Sequence, residues 1–202
     1  MYKTKRQYLK KEIREKLLKI RRRQFPKERK RKSLLIWKKL KALQKFRVAK
    51  TVMFYLSLPE EVDTEMMVKE TIRMGKEVIV PVVQLRKKKM TLSVLKDYDR
   101  ELGIGSFKIP EPKNRYIRKI SADVIDLVIV PGVAFDEKCG RLGFGKGFYD
   151  CFFKNLPTGV ASIGLAYDFQ VLARLPMEEH DVSLNKIVTE KRVIDCKEVT
   201  KC

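Results

Sequence analysis

The chain has 202 residues, 44% of them hydrophobic, which suits one α/β domain with a sizeable core and is too short for two large ones. That content excludes a disordered polymer, and no segment approaches the unbroken apolar length of a membrane span. The net charge of +21 is localised: residues 1–50 carry 22 Lys and Arg against three acids, whereas the other 152 carry 24 against 22.

In chain order, residues 3–23 read as a helix, with Leu9, Ile13, Leu17 and Ile20 spaced by three and four among Lys and Arg. Pro26 opens a second helix to about Phe46, with Leu34, Trp37, Leu40 and Leu43 along one side. These helices make a basic arm of about residues 1–47. Thr51–Leu56 reads as a strand, and Thr64 as the cap of a helix that stops at Gly75. Strands are expected over residues 77–83 and 90–95, a loop over 103–112, and a strand covered on both faces over Val124–Val130. A helix over 147–155, a strand over 159–166 and a last strand over 186–194 follow. Alternating strands and helices predict a three-layer α/β/α sandwich around a mostly parallel sheet, in a single domain over residues 1–202. Cys139, Cys151, Cys196 and Cys202 form no CxxC pair and lack zinc spacing, so they read as reduced thiols of a cytoplasmic protein.

The densest signal is residues 131–150, where an apolar strand runs into Gly140, Gly143, Gly145 and Gly147. Glycine lets backbone N–H groups turn toward an anion, and the following helix would add its dipole. The spacing misses two better-known signatures. Gly147 stands where a P-loop has Ser or Thr, and the dinucleotide fingerprint does not fit. Glycines alone fit a structural turn as well as a phosphate cradle. Arg141 and Lys146 supply cations suited to phosphoryl oxygens, and Asp150 falls where a carboxylate could hold a metal. A second loop, Ser57–Thr64, contains Glu60, Glu61 and Asp63, which read either as complements of a helix dipole or as acceptors for ligand N–H groups.

These residues resemble the 5-formyltetrahydrofolate cyclo-ligase family along nearly the whole chain. The resemblance rests on Pro131-Gly132-Val133-Ala134-Phe135-Asp136 followed by Arg141-Leu142-Gly143-Phe144-Gly145-Lys146-Gly147-Phe148-Tyr149-Asp150. Weaker elements keep the family order: Lys10-x-x-x-Arg14, Leu56-Ser57 with Glu61 and Thr64, and Glu179-His180-Asp181. The resemblance implies conversion of 5-formyltetrahydrofolate to 5,10-methenyltetrahydrofolate with ATP and Mg²⁺, through a phosphorylated formyl group (an iminium phosphate). It implies ATP contacts at Lys10, Arg14 and Arg141 to Tyr149, with Arg141 and Lys146 acting on the moving phosphoryl group. It implies folate contacts at Arg14, Leu56, Glu61, Phe107 and Phe144 to Phe148, and magnesium ligands at Asp150 and Asp181. From the residues alone, Lys10 and Arg14 are two cations among many, Asp181 is equally an ordinary loop acid, and Phe107 equally a core residue. Phe148 and Asn185 depart from the family pattern, which has a tyrosine and often an aspartate there. His180 reads as structural or surface, with no role as a base.

The basic arm also suits an anionic folate tail, or nucleic acid at most weakly and non-specifically, since it lacks an aromatic stacking series. Its Lys and Arg content also fits a protein from a hot habitat.

Overall fold

The computed structural model describes residues 4–84, 89–105, 109–178 and 181–196. Phe107 and the Glu179-His180 pair lie outside the described residues. The helices are α1 Lys5–Arg22, α2 Pro26–Ala42, α3 Gln44–Val48, α4 Glu65–Arg73, α5 Tyr98–Glu101 and α6 Phe148–Lys154. The strands are β1 Thr51–Met53, β2 Glu77–Gln84, β3 Lys89–Leu95, β4 Leu102–Ile104, β5 Pro110–Pro112, β6 Lys119–Ile120 and β7 Leu127–Val130. They continue with β8 Ala134–Asp136, β9 Arg141–Leu142, β10 Ala161–Leu165, β11 Val171–Leu172, β12 Lys186–Val188 and β13 Val193–Asp195.

The main sheet has the order β13-β12-β10-β7-β1-β2-β3-β6. Its centre is parallel, from β12 through β10, β7 and β1 to β2, and antiparallel strands finish both edges. Strand alternation divides the core. Val52, Phe54, Leu127 and Ile129 face Ile36, Trp37, Leu40 and Phe46 of α2 and α3 and Met67 and Val68 of α4. Met53, Val128 and Val130 face the other way, toward Phe152 of α6. The expected α/β/α sandwich with a mostly parallel sheet follows from those two apolar faces.

The chain leaves β1 through α4 for β2 on one side and leaves β7 through α6 for β10 on the other. The carboxyl ends of β1 and β7 therefore flank a topological switch point, where such sheets leave a crevice.

A second sheet, β11-β8-β9, carries α1. Leu17 packs there with Val133, Ala134, Leu142 and Leu175. This seating corrects the expected stripe of the first helix. Leu9 is 46% and Ile20 38% exposed, whereas Leu17 and Arg21 are buried. The helix is rotated so that Lys10, Arg14, Leu17 and Arg21, spaced by four, three and four, face the protein. Leu34 on α2 is likewise 41% exposed, and Ser33 and Ile36 are buried in its place.

Other expectations also give way. The loop expected over 103–112 contains the β4–β5 hairpin, and the loop after β7 contains the β8–β9 hairpin. The single last strand is two, β12 and β13, paired antiparallel. The strand expected from Val124 begins only at Leu127, after a 3₁₀ turn over Ala122–Val124. Thr64 stands at the N-cap position of α4 as expected, but its hydroxyl makes no capping bond and donates instead to the Tyr55 carbonyl at 2.8 Å.

Cys139 and Cys196 form a disulfide, which corrects the reading of reduced thiols. The β8–β9 turn brings Cys139 beside the end of β13, with Cα atoms 6.0 Å apart, a proximity that their separation of 57 residues conceals. The inference of a cytoplasmic protein loses that support. Asn185 also ties this region: its side-chain oxygen accepts from the Ser162 amide at 2.8 Å and the Ser162 hydroxyl at 3.0 Å.

Closing a loop of this length stabilises by about 4 kcal/mol in the chain-entropy view. Reduction, or Cys196→Ser, is expected to lower the melting temperature by roughly 10 °C; a scan in which oxidised and reduced protein melt together would contradict it.

Candidate active site

A cleft of ≈ 430 Å³ opens at the switch point. Tyr55, Leu56, Glu60 and Glu61 after β1 form one wall, and Pro131 after β7 lies opposite. The Gly-rich segment from Arg141 to Asp150 supplies the rim. Pro81 and Val83 of β2, Met90 of β3, and Ile109 and Pro110 give an apolar flank that the sequence reading did not assign to the site. Pro81 inside an otherwise regular strand run was the one available signal, since proline cannot donate to a ladder.

Of the residues expected to bind ligands, Leu56, Glu61, Arg141, Phe144, Gly145, Lys146, Gly147, Phe148, Tyr149 and Asp150 line this cleft. Lys10, Arg14, Leu142, Gly143 and Asp181 do not. Leu142 turns its side chain into the core beneath α1. Lys10 Nζ lies 2.8 Å from Asp181 Oδ2 and 3.4 Å from Glu178 Oε1. Arg14 Nε donates to the Gly143 carbonyl at 2.8 Å, so α1 is bonded directly to the Gly-rich loop.

The loop's glycines have separate reasons. Gly145 at φ 82° and Gly147 at φ 74° occupy the left-handed region. At Gly143 a Cβ would lie 2.7 Å from Arg141 Nη1, so a side chain there would push the tip of the arginine aside. Gly147 precedes α6, which has seven residues, close to the helix expected over 147–155.

Arg141 is 8% exposed, and its Nη2 donates to Asp150 Oδ1 at 2.6 Å. Burial pushes its guanidinium below the ordinary arginine value, while Asp150 pushes it back up. Its Nε and the Tyr149 hydroxyl are buried without a hydrogen-bond partner. Burial also raises the Tyr149 hydroxyl well above the usual tyrosine range. Two donors thus sit unsatisfied at the cleft, which a bound anion could remedy. Glu61 is 7% exposed, and its Oε2 accepts from the Leu58 amide at 3.0 Å. Burial raises its carboxyl above the usual glutamate value, against the pull of Arg21. Its backbone carbonyl is held by the Tyr167 hydroxyl at 2.7 Å.

Asp150 and Asp181 each lie against a cation, Arg141 and Lys10, and the charges of both reach Arg14. Among the described residues no three His, Cys, Asp or Glu side chains gather as a metal cage. Asp150 and Asp181 are the carboxylates here that could take part in holding a metal ion. Among the described residues, no helix is long and apolar enough to cross a membrane.

The model of the 5-formyltetrahydrofolate cyclo-ligase family matches residues 6–190. The 5-formyltetrahydrofolate cyclo-ligase of Mus musculus is 30% identical over 172 residues, covering 81% of this chain and 84% of that protein. The enzyme of the same name from Escherichia coli K12 is 35% identical over 147 residues, covering 72% and 81%. The NMR structure of 5,10-methenyltetrahydrofolate synthetase from Aquifex aeolicus superposes with a TM-score of 0.82 at 36% identity over 94% of each chain.

Replacing Tyr149 by Phe removes a buried, unpartnered hydroxyl. The ligand-free protein is expected to gain about 1–3 kcal/mol and melt a few degrees higher; a lower melting temperature would show that the hydroxyl is satisfied.

Proposed function

The chain belongs to the 5-formyltetrahydrofolate cyclo-ligase family, and we propose that it uses ATP and Mg²⁺ to convert 5-formyltetrahydrofolate to 5,10-methenyltetrahydrofolate, releasing ADP and phosphate. The observation that carries this reading is the cleft itself. One side is apolar with a single buried carboxylate, and the other is a glycine-rich rim with unsatisfied donors. A pteridine suits the first and a triphosphate the second.

The chemistry needs an activated amide oxygen. The formyl oxygen attacks the γ-phosphorus and ADP departs. N10 of the folate then attacks the formyl carbon of this iminium phosphate, and phosphate leaves as the ring closes. There is little covalent work for the protein beyond alignment and charge neutralisation. Arg141 and Lys146 neutralise the transferring phosphoryl group, and Arg141 has an unused Nε for it. The Arg141–Tyr149 segment wraps the triphosphate, with Leu142 contributing only backbone because its side chain is committed to the core. Lys10 and Arg14 approach the phosphates from α1, so the basic arm belongs to the same catalytic domain and Arg14 also reaches the folate. Glu61 accepts from the pterin, and Leu56 and residues Phe144–Phe148 border it. Asp150 and Asp181 would hold Mg²⁺, whose charge offsets that of the phosphates; Arg141 and Lys10, now paired with these carboxylates, would turn toward phosphate. A use of ATP would suit a cytoplasmic location, and the rest of the arm's charge suits a folate with an anionic glutamate tail better than nucleic acid.

Purified protein with ATP, Mg²⁺ and 5-formyltetrahydrofolate should develop the methenyl chromophore with one ADP per turnover; neither signal with intact folate would sink the reading. Gly143→Ala should raise the KM for ATP about tenfold or more by displacing Arg141 Nη1. Its melting temperature should stay within a few degrees, because only the far end of a flexible side chain must move. A large loss of stability with unchanged KM would contradict this.

A further inference from the structure

Arg21 is the most deeply buried cation among the described residues, at 1% exposure, and it does not line the cleft. It lies beneath it, on the inward stripe of α1. Its Nη1 is 3.5 Å from Glu61 Oε1 and its Nη2 is 3.7 Å from Glu60 Oε1. Its Cζ stands 5.3 Å from the centre of the Phe144 ring. Nε and Nη2 make no hydrogen bond.

A purely structural role explains this poorly. Among the described residues the Arg21 side chain makes one hydrogen bond, Nη1 to the Gly132 carbonyl at 3.4 Å, and that carbonyl also accepts from Gln170 Nε2 at 3.0 Å. A buried guanidinium with two unsatisfied nitrogens costs stability. Arg21 reaches two elements of the cleft at once, the acidic loop after β1 and the aromatic tip of the Gly-rich rim.

We propose that Arg21 is a positioning residue for the pterin end of the cleft, holding the Glu61 carboxylate and the Phe144 ring in one arrangement from below. This rests on the proposed function and names the group that makes its folate side work. The ion pairs are long in the ligand-free protein and close up when ring N–H groups engage Glu61. The groups facing Glu61 are Arg21 from α1, Glu60 on its own loop, Tyr55 after β1, Tyr149 from α6, and Tyr167, which holds its carbonyl. Arg21 is the cation among them, and it opposes the rise that burial imposes on the Glu61 carboxyl. Without it the carboxyl would protonate at higher pH, and the acceptor would be lost first on the acid side.

The test is Arg21→Met, which keeps length and packing without charge, with Arg21→Lys and Glu61→Gln as companions. Arg21→Met should raise the KM for 5-formyltetrahydrofolate about tenfold or more. The KM for ATP and kcat should change less than about threefold. The acid limb of kcat/KM for the folate should move up by about one pH unit, and Glu61→Gln in the same background should abolish that limb. Arg21→Lys, retaining charge without the planar fork, should raise the folate KM and leave the limb in place. A folded Arg21→Met with unmoved folate KM and limb overturns the inference. So does a uniform loss in kcat and both KM values with the limb unmoved, which is the signature of a merely structural residue. Should Arg21→Met not fold, an unchanged folate KM in Arg21→Lys overturns it. Wild-type turnover is measured first: its absence fails the functional reading and this inference together, whereas an active wild type with an unmoved limb fails this inference alone.

Discussion

The seating of α1 on the small β11-β8-β9 sheet is the contact on which the cleft depends. Leu17 enters an apolar socket made by Val133, Ala134, Leu142 and Leu175. That socket stands on the hairpin that leads into the Gly-rich rim. A helix anchored there must present the residues above and below its anchor, so Lys10, Arg14 and Arg21 lie along the same inward stripe. Lys10 meets Asp181, Arg14 bonds the Gly143 carbonyl, and Arg21 lies beside Glu61 and Phe144. A strongly basic helix is usually a solvated one; here three of the four residues of its inward stripe, Lys10, Arg14 and Arg21, are cations that meet carboxylates or a carbonyl of the body.

Three carboxylates in and around the cleft are paired with cations of this chain. Asp150 faces Arg141, Asp181 faces Lys10, and Glu61 faces Arg21. Pairing keeps buried charge tolerable, yet the accounts do not close: Arg141 Nε, Arg21 Nε and the Tyr149 hydroxyl remain without acceptors. Such unsatisfied donors beside a glycine-rich rim cost stability in the ligand-free protein. The glycines of the rim act by different means. Gly145 and Gly147 set the backbone course, whereas Gly143 clears room for the arginine next to it.

Most of the layer architecture was legible because burial on both faces of a strand, and alternation between faces, are written in consecutive residues. Leu127–Val130 announces a central strand without any neighbour in view. The Arg141–Asp150 run, most of which lines the cleft, stood out for a similar reason, since its glycines and cations lie within ten residues of chain. The short strands β8, β9 and β11 were not, because two or three residues carry no period. Nor was the rotation of α1: Leu9, Ile13, Leu17 and Ile20 satisfy helical spacing as well as the stripe that is buried, and only the depth of the socket around Leu17 selects between them. The bond of the Thr64 hydroxyl was hidden by the same limitation, since it found a carbonyl nine residues back instead of its own helix.

By itself, then, the sequence determined the α/β class, the order of the main elements, the family, and the local chemistry of the rim, all of which depend on residues close in the chain. Only the tertiary structure decided which cations of the arm face inward, that Cys139 and Cys196 are joined, that Asn185 binds Ser162, and that Pro81, Val83 and Met90 wall the cleft. Those facts are distances between residues tens to more than a hundred positions apart. Such distances are set by how apolar faces stack and where the crossovers turn, and no local pattern of residue types encodes them.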